Sequence, residues 1–239
     1  MIFPDPLIRG VLVRRYKRFL ADVEIEGGAV VVAHCANPGS MLSVDAPGSE
    51  VWLSPARNPE RKLRYSWEMI RVGAHLVGIN TAHPNGLAAE AIAAGRISEL
   101  AGYGALRREV RYGKNSRIDL LLGDGDGGRK CYVEVKNVTM KRDLSPEAPA
   151  EFPDSVTARG LKHLVELSAM VKQGHRAVML YLVQRQDAGS FAIAADVDPG
   201  YAKALGKARK AGVEVLAYRC TLSPREIAVA DAIPFSCTP

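Results

Sequence analysis

Ser116-Arg-Ile-Asp-Leu-Leu-Leu122, then Gly123-Asp-Gly-Asp-Gly-Gly128, then Cys131-Tyr-Val-Glu-Val-Lys136: two apolar runs flank a string of turn formers, and each run carries one acid. Side chains on a strand alternate faces, so Glu134 and Lys136 point the same way. The glycine and aspartate string makes the two runs partners in an antiparallel hairpin. Folded in this way, Asp119, Glu134 and Lys136 converge on one spot. A pair of acids suits a divalent cation, and a lysine beside it suits positioning or polarising a water.

Charged residues on strands are ordinarily the solvent-facing side of half-buried sheets. Here they interrupt apolar runs: Ile118, Leu120, Leu121 and Leu122 surround Asp119, and Val133 and Val135 bracket Glu134. A carboxylate in such a setting is costly unless it is paired, metal-bound or functional. The Asp…Glu-x-Lys layout is also that of metal-dependent phosphodiesterases.

The chain has 239 residues, 47% hydrophobic and 24% charged, which describes a globular protein with ample core in one large domain or two smaller ones. No run approaches the length of a membrane span, and Met1-Ile-Phe-Pro-Asp-Pro6 lacks the basic start and apolar core of an export signal. Cys35, Cys131, Cys220 and Cys237 form no C-x-x-C pair, so free thiols in a cytoplasmic protein are expected. His34-Cys35 has no second ligand pair at zinc spacing.

The net charge of +6 is unevenly spread. Arg9, Arg14, Arg15, Lys17 and Arg18 lie between Pro6 and Ala21 with no acid among them, and Arg57, Arg61, Lys62, Arg64 and Arg71 form a second group. Tyr16, Phe19, Tyr65 and Trp67 sit within these groups. Cations with aromatic faces suit a surface that tracks a polyanion's backbone and stacks its bases; the other reading turns the aromatics into the core.

Residues 1–80 read as short strands split by turns, with Gly27-Gly28 as a hairpin turn, and indicate a small closed barrel of the OB kind. Residues 81–239 form a second domain. There, 87–100 is spaced as a helix with Asn85 at its cap, 106–112 and the two motif runs are strands, and 156–172 is a helix closed by Gly174. The run 177–183 has the composition of a buried central strand, Pro199 opens a helix that Gly212 closes, and 213–218 is a last strand. This order indicates a mixed sheet flanked by helices.

The same order is the core of the PD-(D/E)xK nuclease superfamily, and the chain as a whole resembles the sugar fermentation stimulation protein A family. The segments that carry the resemblance are Arg15-Tyr-Lys-Arg-Phe-Leu-Ala-Asp22, His34-Cys-Ala-Asn-Pro-Gly-Ser-Met41, Arg61-Lys-Leu63, Ser116-Arg-Ile-Asp119, Glu134-Val-Lys-Asn-Val-Thr139 and the stretch 152–164. Where the family usually has Cys-Pro-Asn-Thr-Gly, this chain has Cys35-Ala-Asn-Pro-Gly39, which leaves the turn chemistry intact.

The resemblance implies an OB-like nucleic-acid-binding domain joined to a nuclease-like domain, DNA binding without sequence specificity, and an association with expression of sugar-utilisation genes. Asp119, Glu134 and Lys136 occupy its catalytic positions. Mg²⁺ or Mn²⁺ would be held by Asp119 and Glu134, with Glu90 and the Val135 carbonyl as further ligands. The other reading of Glu90 is a first-turn glutamate favoured by the helix dipole. Arg14, Arg15, Lys17, Arg18, Arg61, Lys62, Arg117, Arg159 and Lys162 are the candidate DNA contacts. Thr157, Gly160 and His163 add donors around a helix start that favours anions. The alternative function is a non-catalytic DNA-binding regulator that uses the nuclease fold as a scaffold. A sugar-metabolising enzyme has no support in paired carboxylates or a nucleotide loop.

Overall fold

The computed structural model describes residues 1–113, 115–125 and 128–236. Cys237 and the turn residues Asp126 and Gly127 lie outside them. The first six strands are β1 (Ile8–Tyr16), β2 (Leu20–Ile25), β3 (Val30–His34), β4 (Glu50–Pro55), β5 (Tyr65–Val72) and β6 (His75–Gly78). They lie in the order β3-β2-β1-β4-β5-β6, and β3 also pairs with β5, which closes an OB barrel. Alternation fills it: Leu12, Ala21, Val23, Ala33, Leu53 and Trp67 point inward, while Val11 and Val13 face out. Gly27 and Gly28, at φ of 89° and 80°, lie in the four-residue turn 26–29 between β2 and β3, a conformation that glycine adopts without strain.

The second unit comprises α1 (Pro84–Ala93), β7 (Ala105–Tyr112), β8 (Ser116–Gly123), β9 (Cys131–Val138), β10 (Ala150–Phe152), α2 (Ala158–Lys172), β11 (Arg176–Val183), β12 (Phe191–Ile193), α3 (Pro199–Lys210), β13 (Glu214–Leu222), β14 (Ile227–Ala232) and β15 (Phe235–Ser236). Its main sheet runs β14-β13-β11-β9-β8-β7, with β9, β11 and β13 parallel and the outer strands antiparallel. Helix α1 buries Leu87, Ala88 and Ala91 against one face, on Leu120, Val133 and Leu180. Helices α2 and α3 bury Leu164, Leu167 and Leu205 against the other, on Met179, Tyr181 and Val183. The apolar run 177–183 is the core of β11, covered on both sides as its composition indicates.

Three details differ from the sequence reading. The first helix starts at Pro84 and ends at Ala93, because Gly95 takes φ of 69° and a short 3-10 turn, Ser98–Leu100, follows. Its cap is His83, which frees the Asn85 side chain for another role. Strands β10, β12, β14 and β15 are absent from the sequence reading. They are short or alternate over few residues, and such runs carry little periodic signal.

The two units are joined by backbone pairing and buried charge. Gly78 N–H donates to Gln184 O at 2.9 Å, and Val77 bridges Arg185. Arg185 is fully buried; it pairs with Asp187 at 2.7 Å and donates to Thr139 O at 2.8 Å and Ser43 Oγ at 3.1 Å. Lys141, also fully buried, donates to the Asp187 carbonyl. Such cations are tolerated only when paired, so the seam holds the barrel in one position. The loop after β3 docks on the second unit as well: Ser40 N–H donates to Asp154 Oδ2 at 2.9 Å, and a Cβ on Gly39 would lie 2.1 Å from that oxygen. Among the described residues no helix is long and apolar enough to cross a membrane.

Candidate active site

β8 and β9 pair from Leu122–Cys131 to Leu120–Val133 and then separate. In the gap sits Asp119. Its Oδ2 accepts the Val135 N–H at 2.8 Å, and its Oδ1 accepts from Asn85 Nδ2, at the start of α1, also at 2.8 Å. Glu134, 2% exposed, follows Val133 on β9. Its Oε1 accepts from Lys136 Nζ at 2.7 Å and bonds His163 Nδ1 on α2. The Glu134–Lys136 contact is the same-face geometry that their spacing dictates.

His163 is held from behind. Thr157 caps α2 by accepting the Gly160 N–H at 3.0 Å, and Arg159 Nε lies 3.4 Å from His163 Nε2. With Nε2 accepting from Arg159, Nδ1 carries the proton that Glu134 receives.

Electrostatics separates the two acids. Burial, then the charge of Glu134, pushes the Asp119 carboxyl above the ordinary range. Burial also works against ionised Glu134, but the His163 hydrogen bond and the Lys136 charge outweigh it and hold this carboxyl below its usual value. Glu134 Oε2 is buried with no hydrogen-bond partner among the described residues. A buried ionised oxygen left bare fits a cation ligand, and Asp119 is the second carboxylate at hand. No three His, Cys, Asp or Glu side chains converge as metal ligands among the described residues, so the carboxylates that could hold a cation at this hairpin are Asp119 and Glu134.

Glu90 does not join them, which corrects the expectation. It is exposed, and its Oε1 accepts from the α-ammonium of Met1 at 2.9 Å, which also donates to Ile227 O at 2.8 Å. That places it over β14, at the far edge of the sheet from β7. Asn85, five residues earlier, is the α1 side chain that reaches the site; as an expected cap it gave no signal of this. Tyr112 is a further member that the sequence did not single out. Its hydroxyl is buried without a hydrogen-bond partner among the described residues, and burial with the charges of Glu134, Glu166 and Asp119 pushes its pKa up.

Among the basic candidates, Arg15 is a correction. Its guanidinium donates to the carbonyls of Arg18, Asn37 and Gly39 at 3.0–3.1 Å, and its side chain is 13% exposed. It is a strut for the loop after β3. Arg14 pairs with Asp22 at 2.8 Å and lies over the Tyr16 ring, yet remains 65% exposed. Lys17 and Arg18, in a left-handed turn, and Arg61 and Lys62 are exposed. Arg117, Arg159 and Lys162 are exposed residues of the second unit: Arg117 precedes Asp119 by two residues on β8, Arg159 lies 3.4 Å from His163, and Lys162 lies 3.9 Å from Glu166. Of the aromatics, Trp67 is core, whereas Phe19 is 46% exposed.

Comparison with known proteins gives matches along most of the chain. Residues 82–226 match the model of the sugar fermentation stimulation protein RE domain, and residues 13–79 that of the SfsA N-terminal OB domain. The sugar fermentation stimulation protein homolog of Rhodospirillum rubrum is 58% identical over 241 residues, 98% of either chain. That of Rhodospirillum centenum is 59% identical over 229 residues, 96% of this chain and 97% of its own. A solved structure, Pyrococcus furiosus SfsA in complex with Ca²⁺, aligns with a TM-score of 0.86 at 26% identity and covers 99% of this chain and 98% of that one.

Proposed function

The chain belongs to the sugar fermentation stimulation protein family, and from that premise we propose that it binds DNA without base specificity and hydrolyses phosphodiester bonds at a divalent-metal site of the PD-(D/E)xK kind. The observation that carries the reading is the bare, buried Glu134 Oε2 beside Asp119, with Lys136 on the same face. The relative from Pyrococcus furiosus, described in complex with Ca²⁺, supports a site for a hard divalent cation.

Asp119 and Glu134 would hold Mg²⁺ or Mn²⁺, which supplies Lewis acidity and a more acidic bound water. Val135 N–H and Asn85 fix the Asp119 carboxylate, and His163 fixes Glu134, so the two acids are oriented before substrate arrives. Lys136 keeps its ammonium 2.7 Å from Glu134, a position from which it orients the attacking water or meets charge building on the phosphate. Arg14, Lys17, Arg18, Arg61 and Lys62 of the barrel, with Arg117, Arg159 and Lys162 near the site, supply the backbone contacts that act on any sequence. Three free, buried cysteines suit a cytoplasmic setting, and the family's name supports a link to expression of sugar-utilisation genes.

A second reading, a DNA-binding regulator without chemistry, draws on one observation: Lys136 already neutralises Glu134, and among the described residues no third acid joins the pair. Plasmid and single-stranded DNA incubated with the protein in Mg²⁺, Mn²⁺ or chelator decide between them. Metal-dependent nicking by wild type and none by Asp119→Asn, purified in parallel, is expected. Retained DNA binding with no cleavage in any metal would leave the regulator; absence of binding would remove both.

A further inference from the structure

Helices α2 and α3 lie side by side on one face of the sheet and run in the same direction. A Cβ on Gly200, at the start of α3, would lie 3.9 Å from Leu161 Cδ1, and one on Gly212, just past its end, 3.0 Å from Val171 Cγ1. The outer surface between the helices is a groove of about 480 Å³. It extends from Gly200 to Ala211, about 16 Å or three helical turns. Its floor is apolar: Ala169, Ala204 and Ala211 are half-buried beside the buried Leu164 and Ala208. Val165, on the α2 rim, is 67% exposed.

Charge of one sign borders this floor. Lys172 of α2 and Lys203 and Lys207 of α3 line the groove, and no acid does. All three lysines are exposed, and none makes a hydrogen bond or ion pair among the described residues. Lys203 and Lys207 stand four residues apart on α3, where like charges repel, and α3 contains no acid to offset them. The helix dipole favours Lys172 and Lys207, which lie in last turns, but gives no reason for Lys203. A nucleic-acid backbone would engage the lysines and leave the apolar floor unused. A lipid surface is flat and takes large apolar side chains that stand proud of a helix, and α3 exposes none. A concave apolar floor between cationic rims is complementary to a helix with one aliphatic stripe and acids beside it.

We propose that the α2–α3 groove docks an acidic amphipathic helix of a partner protein, about three turns long. Its aliphatic residues, at i, i+4 and i+7, lie on the alanine floor and cover Val165, and its flanking Asp or Glu side chains meet Lys172, Lys203 and Lys207. Acids placed there turn the repulsion between Lys203 and Lys207 into attraction and select against basic partners. The surface is separate from the hairpin acids, so the assignment does not depend on the chemistry at Asp119 and Glu134.

The test uses the full ¹⁵N-labelled chain and two synthetic helical peptides of about 14 residues, each with Leu along one stripe, flanked by Glu in one and by Lys in the other. The Glu peptide should shift the amide signals of Val165, Ala169, Ala204 and Ala211 saturably, and less as salt rises. The Lys peptide should leave them in place. Lys203→Glu with Lys207→Glu should weaken the Glu peptide by roughly tenfold or more and gain binding of the Lys peptide, an exchange that an unfolded variant could not make. Lys203→Gln with Lys207→Gln, read beside it, should give a smaller loss. Val165→Ser, with every lysine kept, should also weaken the Glu peptide, which a purely electrostatic contact would not do. No shift with the Glu peptide, equal shifts with both peptides, or unchanged affinity in the two lysine variants overturns the proposal. So do shifts that grow with protein concentration alone, which would give the groove to a second copy of this chain. Displacement of the peptide from these residues by duplex DNA or phosphatidylserine vesicles would give it to a phosphate surface instead.

Discussion

Val135 donates its backbone N–H to Asp119 Oδ2 at 2.8 Å, so a carboxylate takes the place that a strand carbonyl would fill if β8 and β9 continued to pair. The ladder ends at Leu120–Val133, and the gap holds the acids. This arrangement leaves Asp119 half-buried and costly when charged, a cost that the proposed cation would offset.

Asp119 should therefore show opposite effects without and with metal. Its folded pKa is raised above 3.8 by burial and by Glu134. Its contribution to stability is thus fully present below 3.8 and is lost as pH rises through the raised value. At pH 7, Asp119→Asn should raise the midpoint of the metal-free protein, and the gain should vanish below pH 3.8. Mn²⁺ or Mg²⁺ should raise the wild-type midpoint by mass action, and the same variant, alone or with Glu134→Gln, should abolish that rise. An identical metal response in wild type and double variant would show that these carboxylates are not ligands.

Asn85 should tune the metal without touching it. Asn85→Ala removes one of two hydrogen bonds that aim Asp119, and the loss of such outer partners lowers metal affinity about 10–100-fold. Titration of the thermal midpoint with Mn²⁺ measures it. Glu90→Ala, which breaks only the pair with the α-ammonium of Met1, should leave the same titration unchanged.

Lys136 should matter to turnover more than to binding. If it acts on the water or on the phosphate's developing charge, its effect belongs to the transition state. Lys136→Ala should cut single-turnover cleavage by roughly a hundredfold or more, with little loss of DNA affinity. Equal cleavage by both proteins would remove the lysine from the chemistry.

The barrel's basic residues should separate into two kinds. Arg14, Lys17 and Arg18 replaced together by Ala should weaken binding to all sequences alike. The salt slope should flatten by up to about one unit for each phosphate no longer neutralised. Arg15→Ala should instead lower the thermal midpoint, because three loop carbonyls lose their donor. A reversal of these outcomes would exchange the roles assigned.

Glu68 links the barrel to α1. It is 3% exposed and accepts from Ser54 Oγ at 2.6 Å and Asn80 Nδ2 at 2.8 Å, with His83 Nε2 at 2.7 Å. Burial raises its pKa, but these partners, His83 foremost, outweigh that and hold it below 4.5. The stability it gives is present above pH 4.5 and is lost as pH falls through the lowered value. Glu68→Ala should cost about 3–5 kcal/mol near neutrality, and urea midpoints of wild type and variant should converge on acidification below pH 4.5. A constant gap down to pH 3 would contradict it.

What the sequence determined by itself is local. Gly27-Gly28 makes a hairpin because glycine tolerates its dihedrals, the run 177–183 is central because nothing polar interrupts it, and Glu134 and Lys136 share a face because strand alternation has period two. These facts need only a few neighbouring residues, and they carried the barrel, the mixed sheet and the acid–lysine hairpin. The partners of the acids were another matter. Asn85 meets Asp119 across 34 residues and His163 meets Glu134 across 29. Each contact exists because α1 and α2 bury their apolar stripes on opposite faces of the sheet and so bring Asn85, in the first turn of α1, and His163, in the second turn of α2, to the acids of β8 and β9. The packing of α1 carried Glu90 to Met1, and the closure of the barrel folded Arg15 under the loop after β3, although by residue type both suit a metal or phosphate site. A side chain's chemistry is written at its own position; its partner is chosen by the burial of everything between them.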